Sequence, residues 1–177
     1  MIINIMESLI ASYFFTNYFD LKINKYLYFI INFVIISAEI NIDDYYHYYS
    51  ISLPLIVAVT EVIIARCFAE NNIWEMIFIS FLDLLIAGSS IIFSLILDKF
   101  VDSNIRVLIG KIIYFLLVNA ILYCCKIKKI KLNRLYWKLL SIVVIVFYFA
   151  YTIILEFYLG MELNQELVFV TLLSLVL

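Results

Sequence analysis

Two carboxylates stand where a carboxylate is costly. Glu61 and Asp83 each lie about ten residues inside a long apolar run, Ile51 to Ala69 and Ile73 to Leu97. In consecutive helices the two acids fall at similar depth and can be neighbours. No Lys or Arg stands at that depth. Lys111 is about a turn from the end of its own run and reads as reaching the surface through its aliphatic stem. An unpaired carboxylate in hydrocarbon costs several kcal/mol. At least one acid is therefore expected to be protonated, or both to share a proton or a polar cavity, which makes them a buried switch or part of a ligand cavity. The plainer reading is an acid hydrogen-bonded to a neighbour such as Thr60 or Asn119. Glu7 and Glu39 lie nearer the ends of their runs and read as solvated.

The run Asp43, Asp44, Tyr45, Tyr46, His47, Tyr48, Tyr49 is the most distinctive polar stretch. Tyr suits a membrane interface because its ring is apolar and its hydroxyl is wet. The run reads either as an aromatic anchor or as a lip facing an extracellular peptide, in which His47 would add pH sensitivity. Cys124 and Cys125 beside Lys126 admit palmitoylation or serve as small apolar filler.

Enzymatic chemistry lacks its parts. His47 is the single histidine, so multi-His metal sites are excluded, and no cofactor is implied. A membrane Cys protease would place a Cys a few residues after its His, but the next Cys here is Cys67. Only Gly88, Gly110 and Gly160 are available, and none forms a phosphate-binding loop. Transporters often break helices with Gly or Pro. Here the one proline, Pro54, falls in the first turn of its run, and Gly88 in Ala87-Gly88-Ser89-Ser90 reads as a point of close helix approach.

The elements that carry these residues follow from composition. The chain has 177 residues, 67% hydrophobic and 15% charged, with net charge −2. Soluble domains hold nearer half apolar and a quarter charged residues. A soluble globule, a disordered chain, a disulfide scaffold and a basic nucleic-acid binder are all excluded. An all-α transmembrane bundle remains, with the lipid bilayer as its first partner. Six complete spans are expected, at 2–19, 26–42, 51–69, 73–97, 107–125 and 135–159. A seventh run, 167–177, covers about half of a bilayer, since helices rise 1.5 Å per residue. A terminal carboxylate in hydrocarbon is unfavourable, so a longer parent chain is expected, with a short interfacial helix as the alternative. The first span lacks a basic leader and a cleavage site and carries Glu7, so it does not read as a signal peptide.

Lys126, Lys128, Lys129, Lys131, Arg134 and Lys138 make up six of the twelve cations and are interrupted by no acid. Such a loop stays in the cytoplasm. Alternation then puts the N-terminus and the Asp43–Asp44 stretch outside, and a completed seventh span would lead into the cytoplasm. Trp74 and Trp137 fall at the inner interface as belt residues.

Several local runs fit one layout. Glu7-Ser8-Leu9-Ile10 opens span one and Asn17-Tyr18-Phe19 closes it before Lys22. Trp74-Glu75-Met76-Ile77-Phe78-Ile79-Ser80 opens span four, and a basic loop leads through Trp137 into span six. This pattern resembles the membrane sensor region of peptide-pheromone receptor histidine kinases, the accessory-gene-regulator type with a GHKL ATPase domain. The resemblance spans essentially the whole chain. It implies an extracellular peptide ligand, a homodimeric full-length receptor, and a phosphoacceptor His and ATPase domain beyond this segment. His47, outside the membrane, cannot be that phosphoacceptor. Two other readings stay open. One is the six-helix substrate-binding subunit of a vitamin transporter, whose small-residue coupling motif would fall near Ala11 and Ser12. The other is an accessory integral membrane protein.

Overall fold

Three asparagines start three helices. Asn24 Oδ1 accepts from Tyr26 N at 2.8 Å, Asn72 Oδ1 from Trp74 N at 3.0 Å, and Asn133 Oδ1 from Tyr136 N at 3.1 Å. Each caps a helix N-terminus whose first amides have no partner within the helix. The computed structural model describes residues 2–46, 52–96, 101–128 and 132–159. They form six helices: α1 (Ile2–Tyr18), α2 (Lys25–Tyr46), α3 (Ser52–Phe68), α4 (Ile73–Ile96), α5 (Ser103–Lys128) and α6 (Arg134–Leu159). Each occupies one of the six apolar runs. Pro54 is the third residue of α3, where its missing amide hydrogen costs nothing. The run 167–177 lies outside the described residues.

Three of the helices are long and apolar enough to cross a membrane, through Ile73–Ser90, Ile105–Cys124 and Arg134–Ile153. α1 and α3 are 17 residues each, and α2 carries Lys25, Glu39, Asp43 and Asp44. Of the six complete spans expected, three are met on length and composition among the described residues.

The helices close a ring. α1 packs on α2, α2 on α3, α3 on α4, α4 on α5, and α5 back on α1. α6 stands outside this ring against α4. The main core gathers buried apolar side chains from α1 to α5, among them Phe14, Tyr28, Met76 and Val118. A second cluster, Ala58, Phe81, Val144 and Tyr148, seats α6. Over residues 73–90 α4 exposes no large apolar side chain, whereas α1, α2, α3, α5 and α6 all do, such as Leu9, Ile30, Ile63, Leu116 and Phe147.

At one end of the bundle the α1–α2 and α3–α4 connections clasp each other. Lys22 N donates to Phe68 O at 2.8 Å and Glu70 N to Asp20 O at 2.9 Å, around an antiparallel bridge between Leu21 and Ala69. Asp20 N donates to Asn71 Oδ1 at 2.8 Å, and Tyr18 OH to Glu75 at 3.1 Å. α6 is fastened at this same end. Ser141 Oγ donates to Trp74 O at 2.5 Å, the Trp137 ring lies 5.6 Å from Phe78, and Lys138 Nζ stands 5.5 Å from the Trp74 ring. Trp137 is thus buried against α4.

Candidate functional site

The polarity of the bundle is inverted. Its surface is rich in Leu, Ile, Val and Phe, while Ser8, Ser12, Asn32, Glu61, Ser80, Asp83 and Lys111 are buried. An apolar surface of this kind suits lipid, and the buried polar groups must find partners within the protein.

Glu61 and Asp83 are both buried, at 1% and 5% exposure, and are close enough for their charges to interact. Their partners differ. Tyr114 OH, from α5, donates to Asp83 Oδ1 at 2.7 Å. Neither carboxylate oxygen of Glu61 makes a hydrogen bond. The partners expected from sequence serve elsewhere. Asn119 accepts from Tyr13 OH at 3.2 Å and donates to Phe115 O at 2.8 Å, and Thr60 lies beside Glu39.

Two further sequence expectations are overturned. Lys111 does not reach the surface. It is buried at 6% exposure and ion-paired with Glu7 across the α1–α5 contact. Glu7 is therefore engaged rather than simply solvated. Glu39 is only partly exposed, and its Oε2 is buried without a partner. Both corrections have one cause. Helix rotation aims these side chains into the ring, and depth along the helix does not reveal rotation.

Above Asp83 lies a cavity of about 220 Å³. All six helices contribute to its wall: Glu7 and Ala11 from α1, Ile36 and Ile40 from α2, Pro54 and Val57 from α3, Asp83, Ala87 and Gly88 from α4, Tyr114 from α5, and Tyr148, Tyr151 and Thr152 from α6. The lining comes from the starts of α1 and α3 and the ends of α2 and α6. The cavity therefore sits toward the end opposite the loop clasp. Gly88 allows α6 to close one side. A Cβ built there would meet the Tyr151 ring at 2.8 Å, which is the close approach expected from the Ala87-Gly88-Ser89-Ser90 run.

The other sequence candidates fall at the bundle ends. Tyr45 and Tyr46 close α2 at the cavity end, while His47 and Tyr48 lie outside the described residues. Lys126 and Lys128 end α5 at the clasped end, and Arg134 and Lys138 begin α6 there; Lys129 and Lys131 lie outside the described residues. Tyr114, Lys111 and the α6 tyrosines were not singled out from sequence as site residues. Lys111 carried a readable signal, being a cation inside an apolar run. Tyr114 had none, because it is one of 14 tyrosines.

Among the described residues, no group of three or more His, Cys, Asp or Glu side chains is placed to hold a metal ion. No protein-family model matches this chain, and no curated protein or solved structure matches it.

Proposed function

We propose that this chain is a ligand-receiving membrane bundle, with all six helices crossing the bilayer, and that it serves as the sensor region of a peptide-pheromone receptor histidine kinase. The inverted polarity supports six crossings, because α1, α2 and α3 expose Leu9, Ile30, Val34, Val59 and Ile63 just as α5 and α6 expose their own apolar residues. A 17-residue helix covers about 25 Å, at the short end of what a bilayer accepts. The basic α5–α6 connection then faces the cytoplasm and the N-terminus faces outside.

The cavity is the observation that carries the reading. It lies at the end opposite the basic connection, so a ligand entering it comes from outside. At about 220 Å³ it is smaller than drug-sized pockets, which start near 300 Å³, and it suits one anchoring side chain of a peptide. α2, which ends at Tyr46, runs toward this end of the bundle. α6 supplies the output: it is peripheral, fastened at the clasped end, and touches the cavity through Tyr148 and Tyr151. A ligand that binds one α6 position better than another shifts the bundle between states and moves the chain that follows α6.

The decisive test is the reading frame beyond Leu177. A His-bearing helix and an ATPase domain downstream support the reading, and the peptide fraction of conditioned medium should then alter autophosphorylation. A stop codon there overturns the kinase assignment and leaves an uptake subunit or an accessory membrane protein.

A further inference from the structure

One level of the ring interior holds more unpaired oxygen than a protein interior tolerates. Asn32 is seven residues past Lys25, the start of α2, and Ser80 is seven past Ile73, the start of α4. Glu61 is seven before Phe68, the end of α3, and Ser12 is six before Tyr18, the end of α1. These helix ends lie together at the clasped end, tied by the Leu21–Ala69 bridge. At 1.5 Å per residue all four side chains stand about 10 Å from it. All four are at least 99% buried. None of the Glu61 oxygens, the Asn32 amide atoms, the Ser12 hydroxyl or the Ser80 hydroxyl makes a hydrogen bond. Tyr28 stands one turn from Asn32 on α2, close to it and to Glu61, without forming a well-aligned hydrogen bond.

Leaving a buried polar group unpaired is costly, and leaving a charge unpaired costs more. Water alone would satisfy the hydroxyls and the amide, but an ionised Glu61 also calls for a compensating positive charge. The buried cation Lys111 is bound to Glu7. The missing ingredient is one positive charge that accepts oxygen ligands. One carboxylate with several neutral oxygens matches a monovalent hard cation, whereas a divalent ion would call for more acids and a transition metal for nitrogen or sulfur.

We propose that Glu61, Asn32, Ser12 and Ser80 form a mid-bundle binding site for an alkali cation of the sodium class. Glu61 supplies the charge, Asn32 its amide oxygen, and the two serines their hydroxyl oxygens. Asp83 lies three residues beyond Ser80 on α4, on the cavity wall, close enough to Glu61 for their charges to interact. The site couples α1, α2, α3 and α4, and its occupancy adjusts the ring against which α6 rests.

The test is thermal unfolding of the whole chain, purified in lipid nanodiscs, in NaCl, LiCl, KCl or choline chloride at constant ionic strength. Sodium is expected to raise Tm along a binding curve, by roughly 3–5 °C per tenfold increase above its Kd, while choline is inert. Glu61→Gln should abolish the dependence, and Glu70→Gln, at the exposed α3–α4 connection, should retain it. If Glu61→Gln does not fold, the double variant Ser12→Ala with Ser80→Ala should weaken the apparent affinity at least tenfold. Equal stability in all four salts overturns the site, as does an unchanged sodium response in these variants. A carboxylic-acid carbonyl stretch that is lost in Glu61→Gln and unmoved by sodium also overturns it, because Glu61 then holds a proton instead. The outcome is independent of the kinase reading, since no peptide ligand is involved.

Discussion

The Tyr114 hydroxyl donates a 2.7 Å hydrogen bond to the Asp83 carboxylate inside the bundle, tying α5 to α4 at the floor of the cavity. Without it, the acid would face an apolar interior with no donor. Tyr114→Phe removes that donor and keeps the ring. It is expected to destabilise by about 1–3 kcal/mol, the cost of a buried acceptor left unpaired. Asp83→Asn keeps an acceptor oxygen for Tyr114 and should cost less. Thermal unfolding of both variants in detergent checks the order; equal losses would mean that the hydrogen bond contributes little.

The Glu7–Lys111 pair should respond asymmetrically. The Lys111 side chain is 8% exposed and that of Glu7 is 31%. Glu7→Gln leaves a buried ammonium without its partner and is expected to cost about 3–5 kcal/mol. Lys111→Met leaves a carboxylate that water partly reaches and should cost less. The double variant Glu7→Gln with Lys111→Met should recover much of the loss, and a full double-mutant cycle measures the coupling.

The Gly88–Tyr151 contact sets how closely α6 approaches α4. Gly88→Val places branched carbons where the Tyr151 ring lies and should destabilise by about 1–3 kcal/mol through overpacking. Tyr151→Ala in the same chain should restore part of that stability. If the two substitutions prove additive, the helices do not meet there.

The orientation can be read by labelling. In a variant lacking the native cysteines, Asp102→Cys precedes α5 at the cavity end and Asp20→Cys lies at the clasped end; both positions are exposed. A membrane-impermeant maleimide should label position 102 in intact cells and position 20 only after permeabilisation. The reverse pattern would place the cavity on the cytoplasmic side and remove the case for an external ligand.

The sequence alone determined the helical class and the place of each helix. Dense apolar runs leave the backbone no partner but itself, so each run closes its own hydrogen bonds. It also singled out Glu61 and Asp83, since a charge inside an apolar run is costly wherever it points. Tertiary structure decided the rest. Position along a helix gives depth, but rotation and neighbours come from packing between segments far apart in the chain. For that reason the position of Lys111 in its run does not reveal its pairing with Glu7, 104 residues away, and nothing in the sequence sets Tyr114 apart as the partner of Asp83. The same physics hid the level of Ser12, Asn32, Glu61 and Ser80: a serine or asparagine in an apolar run carries little signal by itself, and only the closing of the ring sets four of them at one height.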